Sequence, residues 1–234
     1  MNESIVKKLL ELNQSFYDLF ADVFSQTRRP INPGFEGLRT ALPEPCDSLL
    51  DVACGNGRFG AYLFQHNAIQ QYTGVDFSNG LLEIAPTIAA GAYLQRDLSQ
   101  PECLAGLGTF DAVSCLAALH HIPGRDNRLR LLREMGDCLR ADGHLLISTW
   151  QFLDSPRQRR KVRAWAEINL TPEDVEPNDY LLTWDRGGFA YRYVCMIDEV
   201  ETQALAAEAG LQIIKQFRSD GREGDLSLYT ILTR

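Results

Sequence analysis

Residues 3–24 place Ile5, Leu9, Leu12, Phe16, Leu19, Phe20 and Val23 at helical spacing with polar residues between them, predicting an amphipathic N-terminal helix. Pro30, Pro33 and Gly34 interrupt it, and a short helix is expected to about Leu42. From Ser48 the rhythm changes. Short apolar runs ending in Asp or Gly alternate with helical patterns: SLLDVA with a helix from Arg58, QYTGVD with a helix from Ser78, AYLQRD with a helix after it, FDAVSCL with a helix from Asp126, then HLLISTW. Such alternation predicts a parallel, doubly wound sheet with helices on both faces. Residues 151–186 break the pattern and read as an insertion. A helix from Ile197 to Ala209 follows, with Asp198 as its N-cap and Gly210 as its stop. LQIIKQF and LSLYTILTR, joined by a short polar turn, are expected to close the sheet as an antiparallel hairpin. The expectation is an α/β fold in one domain over 1–234, with a helical cap over 1–42 and the insertion over 151–186.

The densest local signal is DVACGNGRFG, Asp51 to Gly60. A strand ends in acid, Gly55 and Gly57 follow, and a helix begins near Arg58. Glycines there let the backbone turn sharply and approach a ligand, while helix N-terminal amides face it. Gly55, Gly57 and Gly60 fit the dinucleotide fingerprint G-x-G-x-x-G, and Asp76 lies at the spacing of its ribose-binding acid. Three acids favour a different ligand. Asp51 stands where it can accept from an amino group, and beside a pyrophosphate it would repel. Asp76, ending the second strand, is placed to accept both ribose hydroxyls. Asp97, ending the third, is placed to meet an adenine amino group. Acid at three successive strand ends favours a cationic, phosphate-free nucleoside, S-adenosylmethionine (SAM).

These residues resemble the class I SAM-dependent methyltransferases over nearly the whole chain. That resemblance implies a Rossmann-like, seven-stranded, mostly parallel sheet with a reversed C-terminal hairpin. It also implies a cofactor site made of Asp51, Ala53, Gly55, Gly57, Asp76, Phe77, Asp97, Leu98 and Cys115.

Outside that site, FSQTR (Phe24 to Arg28), FDAVSCLAALHHIP, DYLLTW, YRYV and FRSDG resemble motifs of the wobble-uridine tRNA methyltransferases, which esterify a carboxymethyl group on the base. The sequence departs from that family after Arg192-Tyr193, where Val194 and Cys195 stand in place of a histidine. The resemblance implies a tRNA acceptor and a small zinc-binding partner subunit such as the eukaryotic relatives use. A carboxylate is already ionised at neutral pH and needs alignment rather than a base. Arg28 and Arg192 are the candidates to hold it bidentately. For an amine or hydroxyl acceptor, His120 or His121 would serve as base, one of the pair packing and the other facing the pocket. Tyr17 and Tyr193 are candidates to line the base pocket.

The net charge of −8 excludes an unselective nucleic-acid binder. Residues 125–163, however, hold ten Lys+Arg against five acids, and Arg157, Arg159, Arg160, Lys161 and Arg163 cluster in the insertion as candidate RNA contacts. The six cysteines are scattered without a CxxC pair and the four histidines lack metal-ligand spacing, so no metal is expected and a cytoplasmic setting is. No apolar run reaches membrane-span length and no secretory signal pattern opens the chain. Two other functions remain: methylation of a small metabolite, which would leave the basic run as plain surface, and a non-catalytic SAM-fold scaffold. Five cofactor-type residues (Asp51, Gly55, Gly57, Asp76 and Asp97) argue against the scaffold.

Overall fold

The computed structural model describes residues 1–27, 31–185 and 187–234. Its main sheet comprises β1 (Ser48–Val52), β2 (Gln71–Asp76), β3 (Ala92–Gln95), β4 (Phe110–Leu116) and β5 (Leu139–Trp150), with two later strands, called β9 (Gln212–Ser219) and β10 (Ser227–Thr233) below. The strand order is β3-β2-β1-β4-β5-β10-β9. The first five strands run parallel, and β10 lies antiparallel to both β5 and β9. This is the expected Rossmann-like sheet with its reversed hairpin.

Alternation along the central strands divides the core between the two faces. Leu50, Val113, Leu145 and Ile147 pack with Leu131, Leu132 and Met135 of α5 (Arg125–Asp137) and Leu205 of α7 (Glu199–Glu208). Their neighbours Leu49, Ala112 and Leu146 turn to the other face, against Phe35 and Leu38 of α2 (Gly34–Arg39) and Phe59 and Leu63 of α3 (Arg58–Gln65). The strand order reverses between β1 and β4, and such a switch point opens a crevice at the strands' carboxyl ends. The glycine loop enters α3 at that point.

The caps follow sequence. Ser78 accepts from the Leu81 N–H at the start of α4 (Asn79–Ile84), Asp198 accepts from Glu201 N–H at 2.9 Å, and Gly210 stops α7 at φ +76°. The expected helix after β3 does not form. Residues 97–107 are a series of turns, begun by Asp97, whose side chain accepts from Ser99 N–H and so competes with a regular helix.

The break in rhythm expected over 151–186 runs on to Cys195. After the one-turn α6 (Pro156–Arg159), β6 (Val162–Arg163), β7 (Asp179–Trp184) and β8 (Ala190–Cys195) form a second, antiparallel sheet in the order β6-β7-β8. YRYV, beyond the expected end of the insertion, is thus part of its edge strand β8. Helix α1 (Glu3–Thr27) packs across β8 and α4, bringing the N-terminal segment over the crevice. No helix among the described residues is long and apolar enough to cross a membrane.

Candidate active site

A cavity of about 1370 Å³ runs between the carboxyl ends of the strands, α1 and the second sheet. Gly55 and Gly57 occupy left-handed conformations, at φ +56° and +76°. A Cβ on Gly55 would meet nothing within 4 Å, since that edge of the loop opens onto the cavity. Gly60 answers a different need. A Cβ there would lie 2.4 Å from the Tyr72 ring, so its absence lets that ring lie flat against α3.

From that position the Tyr72 hydroxyl donates to Asp51 at 2.7 Å, and Ser114, opposite Asp51 in the β1–β4 register, donates at 2.6 Å. Asp51 is buried, and burial pushes its carboxyl up to about 6, against the Ser114 and Tyr72 hydrogen bonds that hold it down. Asp76 accepts from Gly55 N–H at 2.8 Å and from Ser78 N–H at 2.9 Å, one on each oxygen. Burial raises its pKa, opposed by those same backbone bonds. Both acids line the cavity.

Tyr72, Ser114 and the Gly55 and Ser78 amides are neutral donors to these acids. Two buried carboxylates on one wall, beside a loop edge with open space, fit a ligand that carries positive charge and hydroxyls. The donor set therefore suits SAM. Ala53, Phe77 and Leu98 line the same space. Asp97 lines it too, but its exposed carboxylate also caps the Ser99 and Gln100 turn.

Cys115 does not join them. Its side chain is fully buried in the core, and the positions after it, Leu116 to Ala118, form the wall. The alternating strand turns Cys115 away where β4 ends. Arg28 lies outside the described residues.

Elsewhere along the cavity wall, β8, α1 and the turn Leu119–His121 converge. Both His120 and His121 line the cavity, His120 buried and His121 half-buried. The His121 Nδ1 lies 3.1 Å from the Tyr193 carbonyl; because that oxygen only accepts, Nδ1 carries the proton. Arg192 is buried, its guanidinium 4.8 Å from the Phe16 ring centre, 5.1 Å from Trp184 and 5.5 Å from Trp150. Tyr17 lines the wall beside His121 and Phe77. Tyr193, a sequence candidate for that wall, is instead fully buried, with its hydroxyl on Asp179 and Arg128.

The basic strip does not survive as one surface. On α5, Arg125 pairs with Glu201 and Glu208, Arg128 with Glu176 and Arg130 with Glu134, while Arg133 donates to the Glu208 carbonyl. Arg140 pairs with Asp111. In the second sheet's approach, Arg159 donates to the Leu153 carbonyl and Arg163 pairs with Glu167. Arg157 and Lys161 line the cavity, and Arg160 is exposed.

Groups that sequence reasoning did not single out include Asn13, Trp150, Arg58, Asn32 and Asp220. Tyr72 and Ser114 were legible only as strand residues. Among the described residues no cluster of three or more His, Cys, Asp or Glu could hold a metal ion.

A family model described as a methyltransferase domain matches residues 25–216. The chain is 31% identical over 134 residues to the tRNA (carboxymethyluridine(34)-5-O)-methyltransferase of Xenopus tropicalis, spanning 57% of this chain and 20% of that protein. It is also 31% identical over 124 residues to the ubiquinone biosynthesis O-methyltransferase of Xanthomonas campestris, spanning 51% of this chain and 49% of that one. The chain thus spans a fifth to a half of the length of these curated relatives. Among solved structures, a SAM-dependent methyltransferase from Clostridium acetobutylicum superposes with a TM-score of 0.66 at 14% identity, covering 93% of this chain and 98% of that one. That likeness carries the fold.

Proposed function

Because this chain belongs to the methyltransferase-domain family, we propose that it transfers a methyl group to a carboxylate, that of a carboxymethyl-type group on the wobble uridine of tRNA. It is a SAM-dependent methyltransferase, and SAM supplies a methyl made electrophilic by the positive sulfur. Asp51 accepts from the cofactor's ammonium, Asp76 from the ribose hydroxyls, and Asp97 with Leu98 frames the adenine.

The observation that carries the acceptor reading is Arg192. Its guanidinium is held among three aromatic rings in the wall of the same cavity as Asp51 and Asp76. Aromatic faces attract a guanidinium through its charge and fix its orientation, and a guanidinium matches the two oxygens of a carboxylate. Trp150 and Trp184 also present ring surface on which a flat base stacks. A carboxylate drawn to Arg192 is a competent nucleophile as it stands, and the surrounding rings displace competing water. His120 and His121 then line the acceptor without acting as base. Arg157, Arg160 and Lys161 take phosphates at the cavity mouth. The likeness to the frog tRNA enzyme supports this reading. Six free thiols, five of them buried, suit a reducing, cytoplasmic setting.

One observation favours a second reading, a small carboxylate-bearing metabolite. With the α5 arginines already paired, little basic surface remains for RNA, and the bacterial ubiquinone relative acts in a biosynthetic pathway of small molecules.

The test is transfer of labelled methyl from SAM to tRNA, with and without a small zinc-binding partner subunit, followed by mild alkali. Label incorporated and then released as methanol identifies an ester. Label that resists alkali rejects the carboxylate, and no incorporation under either condition rejects tRNA.

A further inference from the structure

Arg128 on α5 is buried, and it lies behind the cavity wall rather than in it. Its Nη1 donates to the Ile122 carbonyl at 3.0 Å and to the Tyr193 hydroxyl at 3.2 Å, and its Nη2 donates to Glu176 at 2.7 Å. These partners belong to three separate elements: the end of the His120–His121 turn, strand β8 and the insertion. The partners are themselves directed. The Tyr193 hydroxyl donates in turn to Asp179 at 2.6 Å, and the other Asp179 oxygen accepts from Glu176 N–H at 3.0 Å. Glu176 also caps α5. That helix starts from Gly124, which has no side chain to offer, and both Glu176 oxygens accept from Arg125 N–H, at 2.9 and 3.1 Å. A closed ring of hydrogen bonds thus runs from Arg128 through Tyr193, Asp179 and Glu176 and back to Arg128.

As an adhesive this arrangement is costly. Buried charges lose their hydration, and apolar side chains of similar volume commonly hold such a junction equally well. What apolar packing lacks is direction. Successive residues of a strand point to opposite faces, so tying the Tyr193 hydroxyl to Arg128 turns Arg192 to the cavity side, among Phe16, Trp150 and Trp184. The Tyr193 carbonyl also meets His121 Nδ1 at 3.1 Å. One guanidinium on α5 therefore registers β8 and the histidine turn against each other.

We propose that Arg128 is a positioning residue for Arg192 and the His120–His121 turn, setting their place in the cavity wall through Tyr193 and Ile122 without touching cofactor or acceptor. Its bearing on methyl transfer rests on the reading of Arg192 as the acceptor's partner.

Three variants separate placement from adhesion. Arg128→Met leaves Glu176 without its cation, and its urea midpoint is expected to fall. Arg128→Met combined with Glu176→Gln removes both charges and is expected to return the midpoint toward the parent's. Tyr193→Phe removes only the hydroxyl, and it decides alone where the double variant does not fold. The indole N–H resonances of Trp150 and Trp184 report the wall around Arg192 with no acceptor present. They are expected to shift in the double variant and in Tyr193→Phe, while S-adenosylhomocysteine binds nearly as before. The kcat/KM for labelled methyl transfer from SAM to tRNA is expected to fall by about tenfold to a hundredfold in the double variant, the scale of a misplacement of about 1 Å. A smaller loss is expected in Tyr193→Phe. Unmoved indole resonances, or a double variant with parental kcat/KM, would show that Arg128 only offsets the charge of Glu176, and either result overturns the proposal. A parent protein that transfers nothing to tRNA rejects the acceptor reading instead, and the indole resonances then decide on Arg128 by themselves.

Discussion

Asn13 on α1 binds Tyr193 on β8 through both of its backbone groups. Oδ1 accepts from the Tyr193 N–H at 2.8 Å and Nδ2 donates to the Tyr193 carbonyl at 3.1 Å. The same Nδ2 reaches the His121 carbonyl at 3.2 Å. One buried amide thus substitutes for a neighbouring strand along the edge of β8 and fastens α1 to the two elements that carry Arg192 and the histidines. Asn13→Ala should lower stability by about 2–4 kcal/mol in urea unfolding, because it leaves buried backbone groups short of partners. Asn13→Asp should cost more, since a carboxylate would face two carbonyl oxygens. A variant as stable as the parent would show that α1 is held by its apolar contacts alone.

Asp51 makes the ligand-free protein sensitive to acid in an unusual direction. Its folded pKa of about 6 lies above the ordinary 3.8, so the folded chain binds the proton more tightly than the unfolded one. Asp51's contribution to stability is therefore full below about pH 4 and is lost as pH rises through about 6, a change of about 3 kcal/mol. Asp76 shifts in the same direction and adds to it. Groups acting on or acted on by Asp51 include Tyr72, Ser114, Asp76, Arg58, Cys54, Tyr93 and Cys115. A ligand ammonium needs the ionised form, so S-adenosylhomocysteine affinity should fall as pH drops below 6, with proton release on binding between pH 5 and 6. Calorimetry in two buffers of different ionisation heat measures that release. Tyr72→Phe should move the window upward.

Asp76→Ala should weaken cofactor binding by about 1–3 kcal/mol through lost charge-assisted hydrogen bonds. Part of that loss is indirect, because Asp76 also holds Gly55 N–H and Ser78 N–H in the loop. Asp76→Asn, which keeps an acceptor oxygen, should lose less, and equilibrium titration distinguishes the two.

Arg192→Ala should cut methyl transfer by about a hundredfold or more while S-adenosylhomocysteine binds nearly as before. Arg192→Lys should recover little, since an ammonium on a flexible stem cannot lie against Phe16, Trp150 and Trp184 together. A large loss of cofactor affinity in Arg192→Ala would place this residue at the wrong end of the cavity.

If tRNA is the acceptor, its binding should depend only mildly on salt. Arg157, Arg160 and Lys161 predict a log–log slope of about −2, from about 0.7 per phosphate on a single-stranded loop. Arg157→Glu with Lys161→Glu should weaken tRNA and leave the cofactor unaffected, whereas Arg133→Glu should weaken neither. A steep slope, or sensitivity at Arg133, would mean that α5 faces the RNA after all.

The sequence by itself determined the sheet and the glycine loop, because both rest on short-range rules. Apolar runs of strand length between helical patterns fix the α/β alternation. Gly55, Gly57 and Gly60 stand within six residues, where backbone conformation and close packing leave little choice of residue. Asp51 and Asp76 were legible for the same reason, each ending its strand. The helix expected after β3 was lost to a local contest, the Asp97 turn against helix hydrogen bonds. Only the tertiary structure decided the rest. The acids that neutralise Arg128 and Arg125 lie 48 to 83 residues away, so a charge count over 125–163 registered a basic strip that folding dissolves. Asn13 meets Tyr193 across 180 residues, and Arg192 lies among rings from α1, β5 and β7. Charge pairing and aromatic packing act through space, and no spacing along the chain records which partner arrives.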